Sequence, residues 1–264
     1  MIKKVISACL VVIGLMNSGM TEEINLTSIG NGGGYGTLFQ VGSWQTKLGP
    51  QDFRTTSYLG VDGVFMPYQI STKITSTGIN YSFPSNLQSS GPWSDTQRSQ
   101  WQNNLSATYE ADAGSLDSYF NPKGVNWAAN SLFATASSGI TYDLQAITPN
   151  GSEFTKFTTY FGNTYSSSTW GESAAYAVLL DGNLLSSGGN YTRSNPFSDL
   201  IEVSIGSNSR FLTLVVLDGG DGDNYDHGVF VAPKLTAQAV PEPSSLSLLA
   251  VGLGGLAMLR RRRS

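Results

Sequence analysis

The chain has 264 residues, a formal net charge of −4 and a single cysteine, Cys9. A lone cysteine beside the start excludes disulfides, thiol nucleophiles and cysteine metal sites from the rest of the protein. Between Thr21 and Ala239 acidic residues outnumber basic ones two to one, which argues against binding a phosphate backbone, because that binding is driven by counterions released by basic residues.

The first 20 residues carry two lysines, an apolar run from Val5 to Met16 and then small polar residues. That is the layout of a secretory signal peptide, since a run of about 12 residues is too short to span a bilayer. Cleavage is expected between Gly19 and Thr21. "ISAC", ending at Cys9, imitates a lipoprotein box but precedes most of the apolar run instead of following it. Residues 21–239 form the expected mature domain, long enough to bury a core without covalent staples.

"GNGGGYGTLF" (Gly30 to Phe39) has no Gly-Lys-Ser/Thr after it and reads as a turn before a strand, not a phosphate loop. "YLGVDGVFMPYQI" places Asp62-Gly63 as a hairpin turn between apolar residues. Residues 84–131 read as long and irregular, with a short helix starting in "SDTQRSQWQNNL" under a cap from Ser94 or Asp95. From Ile140 the pattern sharpens into strands: "GITYDLQAI", "FTKFTTYFG", the hairpin "AAYAVLLDGNLLSS" turning at Asp181-Gly182, "LIEVSI", "FLTLVVL" and "GVFVAPKL". "FLTLVVL" is apolar on both faces, as a central strand is. Short strands between turn signals, with no long helix, predict an all-β fold, a β-sandwich.

The charge concentrates in "LDGGDGDNYDHG" (Leu217 to Gly228), with four aspartates and His227, the chain's only histidine. Three chemistries compete there. Asp218, Asp221, Asp223 and Asn224 are oxygen ligands suited to a structural calcium ion. The EF-hand pattern fails, because Asp226 and Ala232 stand where it wants Gly and Glu. The alternative is a solvated acidic turn whose glycines supply positive φ. Tyr225, Asp226 and His227 could bind a neutral sugar by ring contact and hydroxyl hydrogen bonds, with Trp127 or Trp170 as stacking faces. Catalysis is the weakest reading: one histidine, no Gly-x-Ser-x-Gly elbow, and aspartates too close along one loop to flank a glycosidic bond.

The second half resembles a known family. "SSGITYDL", "FTKFTTYFG", "AVLLDGNLLSSG" and "FLTLVVLDGGDGDNYDHGVF", in this order, are similar to the NPCBM carbohydrate-binding modules over residues 130–235. The resemblance implies a galactose-binding-like jelly roll, with Asp218, Asp221, Asn224, Asp226 and His227 carried over into the loop after a core strand. Thr135-Ala136 stands where that family usually has His-Ala, and Val229-Phe230 where it usually has a polar residue and Trp. The N-terminal half is expected to supply the remaining strands of the same sandwich.

The last segment, 240–264, combines Pro241-Glu242-Pro243, a 14-residue apolar run from Leu246 to Leu259, and Arg260, Arg261, Arg262 and Arg263. Counted from Ser244 to Leu259, a helix would span roughly 24 Å, a short membrane anchor with its arginines in the cytoplasm. The segment resembles the PEP-CTERM sorting signal. That resemblance implies recognition by the membrane protease-transpeptidase exosortase, an inner-membrane-anchored precursor, and delivery to the cell surface or biofilm matrix. The combined expectation is an exported, non-catalytic polysaccharide-binding protein with no nucleic-acid partner. The alternatives are a structural matrix protein or adhesin without sugar binding and, last, a glycoside hydrolase.

Overall fold

The structure is a computed structural model. It describes residues 21–29, 40–41, 53–67, 71–83, 101–103, 113–135, 137–148, 153–164, 173–192, 194–220 and 227–238. The segments expected as signal peptide and membrane anchor lie outside these. Among the described residues no helix is long and apolar enough to cross a membrane.

Two antiparallel sheets hold the fold. The first orders β13 (Ile201–Ser204), β10 (Glu153–Asn163), β15 (His227–Gln238), β8 (Ser131–Thr135), β7 (Trp101–Asn103) and β2 (Gln40–Val41), and β1 (Thr21–Asn25) also pairs with β15. The second orders β12 (Asn183–Thr192), β11 (Ser173–Leu180), β14 (Phe211–Asp218), β9 (Ser138–Asp143), β4 (Val61–Phe65) and β3 (Phe53–Thr55). The main core lies between them. Phe157, Phe161, Phe230 and Leu132 from the first sheet meet Ile140, Tyr176, Val178, Leu214 and Val216 from the second. At about 25 cal/mol per Å² of apolar surface removed from water, this layer is the chief stabilising term.

Both outer faces are also covered. Over the second sheet sit Ile74 and Phe83, which flank the small hairpin β5 (Thr72–Lys73) and β6 (Asn80–Tyr81). Beneath it Thr141 Oγ1 donates to the Ile74 carbonyl at 2.6 Å and pairs with Thr213 Oγ1 at 2.9 Å, which satisfies two buried hydroxyls at once. Over the first sheet sits α1 (Ala113–Phe120), whose Leu116 and Phe120 pack with Trp127, Phe133, Val229 and Val231.

β14 is buried along its whole length, between β11 and β9, as its two apolar faces predict. The Asp181-Gly182 turn stands as read, with φ of 50° and 80°. The N-terminal half does complete the sandwich, through β1, β2 and β7 in one sheet and β3 and β4 in the other.

Three readings need correction. Asp62-Gly63 is not a turn but lies inside β4. The chain reverses before it, at Gly60 with φ +85°, and Gly63 is small because a Cβ there would collide with the Phe53 ring and the Arg54 carbonyl. "LQAI" does not continue its strand. Asp143 Oδ1 accepts the Gln145 N–H at 3.0 Å and caps α2 (Leu144–Ile147). Trp101, placed in a helical stretch by sequence, lies in strand β7; residues 94–100 are outside the described set.

β15 changes neighbour part-way. Residues 227–231 pair with β8 and residues 234–238 with β1. Between them Ala232, at φ 50°, and Pro233 form a bulge against β10. Proline has no N–H to donate, so it fits where one partner ends and the next begins.

Candidate functional site

Strands of both sheets terminate at one pole. β8 ends there at Thr135, β10 at Asn163, β12 at Thr192 and β14 at Asp218; β9, β11 and β15 begin there at Ser138, Ser173 and His227. The segment carrying the acidic run and the segment carrying Trp170 are tied together at both of their ends. The Thr164 N–H donates to the His227 carbonyl at 3.0 Å, and the Gly219 N–H donates to the Ser173 carbonyl at 3.2 Å. The two connections therefore leave and return side by side.

Asp218 is 2 % exposed at the end of β14. Its Oδ1 accepts the Gly220 N–H at 2.7 Å, an Asx turn that starts the acidic segment. The adjoining glycines differ in purpose. A Cβ on Gly219 would strike Ser173, whereas Gly220 is needed for its φ of +108°. Local chemistry thus fixes the foot of the segment before any ligand is considered.

His227 opens β15 opposite Thr135 of β8. Alternation along the strand puts it on the same side as Val229 and Val231, which face α1, whereas Phe230 faces the main core. Its ring meets Phe133 edge-on, with centroids 5.3 Å apart. Burial pulls its pKa down to about 4, so the imidazole is neutral at pH 7. A neutral imidazole offers one N–H donor and one acceptor, a pair that suits a sugar hydroxyl. Asp218, by the same alternation, shares the core-facing side of β14 with Val216. The fold therefore brings Asp218 and His227 to one pole but on different sheets, and does not join them as an acid–base pair.

Trp127 is corrected. It is 7 % exposed, and its indole N–H donates to Asp117 Oδ1 at 2.9 Å, within the cluster under α1. Its faces are taken by protein, so it is no stacking surface. Trp170, Tyr225, Asp226, Asp221, Asp223 and Asn224 lie outside the described residues, as do Pro241, Glu242, Pro243 and Arg260 to Arg263. Among the described residues no cluster of three or more metal-ligating side chains occurs.

Sequence reading missed the aromatic wall behind this pole. Tyr191 of β12 stacks on Tyr176 at 6.1 Å and meets Phe161 edge-on, and the Asn163 side chain donates to the Tyr191 carbonyl at 3.0 Å. Burial, aided by Tyr176 and Asp199, raises the Tyr191 hydroxyl to about 12. Its signal was weak, because Tyr191 follows Gly188-Gly189-Asn190, which reads as the end of a strand.

At the opposite pole Arg210, Asp143 and Asp181 bind their neighbours. Arg210 binds Asp143 Oδ2 through Nη2 at 2.9 Å and Nε at 3.2 Å. Asp181 accepts the backbone N–H groups of Arg210 and Phe211 at 3.0 and 2.8 Å. These carboxylates hold turns and caps in place.

Residues 92–236, more than half of the chain, match the NPCBM/NEW2 domain. The chain belongs to this family. The NPCBM/NEW2 match begins well before residue 130, in keeping with β7 and α1 being part of the same sandwich. Residues 239–263 match the PEP-CTERM protein-sorting motif. Solved structures with some similarity include the CBM51 of a Clostridium perfringens GH95 protein in complex with methyl-galactose, 16 % identical, covering 81 % of this chain and 99 % of that one, TM-score 0.39. The tandem CBM51 modules of a Streptococcus pneumoniae family 98 glycoside hydrolase are 17 % identical, covering 86 % and 50 %, TM-score 0.41. CBM51-2 and INT domains of Clostridium perfringens ZmpB, with GlcNAc, are 22 % identical, covering 42 % and 22 %, TM-score 0.36. The chain spans a quarter or less of the ZmpB chains it matches. Among curated proteins none matches.

Proposed function

We propose that this is an exported, non-catalytic carbohydrate-binding protein that takes a neutral glycan at the pole where Asp218 and His227 stand. Its fold on this reading is the galactose-binding-like jelly roll. His227 and Asp226 bind sugar hydroxyls, and Tyr225 and Trp170 offer ring faces to the sugar C–H surface. Asp221, Asp223 and Asn224, with Asp218 at the foot, stiffen the segment by holding calcium. The PEP-CTERM motif supports export, and on this reading exosortase processes the chain near Pro241-Glu242-Pro243 after the tail has anchored it in the membrane.

Membership of the NPCBM/NEW2 family supports the ligand class. The observation that carries the location is the double tie between the two connections, Thr164 to His227 and Gly219 to Ser173. It holds side by side the ends of two segments, one carrying Trp170 in sequence and the other the acidic run, which supports a two-sided sugar site.

The test is glycan-array binding by residues 21–238. His227→Ala and Trp170→Ala are each expected to lose at least about tenfold in affinity, roughly 1.4 kcal/mol. EGTA is expected to weaken binding as well. Trp127→Phe, which alters only the buried cluster, is expected to leave binding unchanged. Absence of binding to every glycan by the unaltered domain would sink the reading, and hydrolysis of a bound glycan would replace it with a catalytic one.

A further inference from the structure

β15 joins the two poles. It begins at His227, beside the candidate site, and ends at Gln238, the twelfth residue of the strand. At about 3.3 Å per residue its ends are roughly 36 Å apart. At the far end Gln238 faces Thr21 of β1 on one side and Glu153 of β10 on the other. Both ends of the folded domain therefore leave from one point, opposite the candidate site.

β1 is held there by more than backbone pairing. Leu26, just beyond it, is 1 % exposed in the main core. Asn25 Nδ2 donates to Asn130 Oδ1 at 2.5 Å, and Glu23 pairs with Lys234 at 3.0 Å. The sorting motif starts at residue 239, directly after β15. Only Ala239 and Val240 separate Gln238 from Pro241, a reach of about 11 Å at most.

We propose that the fold assigns attachment and ligand binding to opposite poles, so that in the tail-bearing protein the pole of Asp218 and His227 faces away from the membrane. The ligand on this inference is a glycan of the surrounding matrix or outer layer, and not a sugar headgroup of the lipids that hold the tail. The orientation does not depend on which end is tethered. Retention through residues 1–20 would tie down Thr21, which sits opposite Gln238, and present the same pole outward. The choice of ligand rests on the glycan binding proposed above, and the orientation on the membrane anchoring proposed there; the position of both termini opposite the candidate site depends on neither.

The experiment uses the full chain with Cys9→Ser, reconstituted in phosphatidylcholine vesicles that carry an acceptor-labelled lipid. A donor dye is placed on a single cysteine, at Glu22 near the termini or at Ser194 near the candidate site, both exposed. Energy transfer from position 22 is expected to exceed that from position 194 at least about threefold, given the separation set by β15. A second pair, Gln145 and Asn195, samples the same two poles should either first variant misfold. Equal transfer from both poles, or more from position 194 or 195, overturns the proposal. The same vesicles are then offered glycans. Expected distances without glycan binding uphold the orientation and remove the function. Glycan binding with inverted distances does the reverse.

Discussion

His227 exchanges hydration for a fixed position. Packed edge-on to Phe133, it takes up its proton only near pH 4, against about 6.5 in an unfolded chain. Between those values the unfolded chain binds more protons, so the folded state loses ground as pH falls. This contribution is complete above about pH 6.5 and is lost progressively toward pH 4, amounting to about 3 kcal/mol at most. The expected outcome is a melting temperature that drops more steeply from pH 7 to pH 4 in the unaltered protein than in His227→Gln, by scanning calorimetry. Parallel pH profiles would show that the imidazole is hydrated in the folded state. Asp218 contrasts with it. Its Oδ1 accepts the Gly220 N–H, so it shapes the segment that follows.

Elements were legible where one strand's own pattern decided them. β14 is apolar on both faces and runs through the middle of its sheet; Asp181-Gly182 turns because both residues take positive φ. Asp62-Gly63 is the same dipeptide, yet it lies within a strand. The deciding contact is the Phe53 ring, which comes from a neighbouring strand and leaves no local trace. Gly63→Ala is therefore expected to cost about 1–3 kcal/mol through overpacking, measured by urea unfolding, even though alanine is a better strand residue than glycine. A neutral effect would mean that the Phe53 ring swings away and that β3 gives way at the Arg54 carbonyl. α1 shows the converse. Leu116, Tyr119 and Phe120 stand at helical spacing, so its signal was present but masked by the polar residues around it. Missing that helix also misplaced Trp127, because α1 is what buries it. The positions of Asp218 and His227 at one pole were legible because each stands where a strong apolar strand ends or begins. The wall of Tyr176 and Tyr191 was not, since β12 continues through Gly188-Gly189-Asn190, where the sequence reads as the end of a strand, and so carries Tyr191 back beside β11.

At the scale of the whole molecule, the boundary of the recognisable family region is not the boundary of the folding unit. The match begins at residue 92, yet β4 supplies Val61 and Val64 to the main core and covers the side of β9 away from β14. β1 likewise covers the far half of β15, and Leu26 fills the core beside it. A chain of residues 92–238 would leave β9 as a bare edge and Ile140 and Tyr142 without their β4 neighbours. Buried apolar side chains contribute about 1.5–3 kcal/mol each, and the net stability of a domain is only about 5–15 kcal/mol. Losing Leu26, Val61, Val64 and Phe65 together therefore removes most or all of that margin. Residues 21–238 are expected to unfold in one cooperative transition with a sharp near-ultraviolet circular dichroism signal. Residues 92–238 are expected to lose that signal, to bind ANS and to aggregate through the exposed edge of β9. A soluble, cooperatively folding 92–238 fragment would show that the N-terminal strands are an ornament on a self-sufficient module, and would move the origin of the sandwich's stability entirely into its second half.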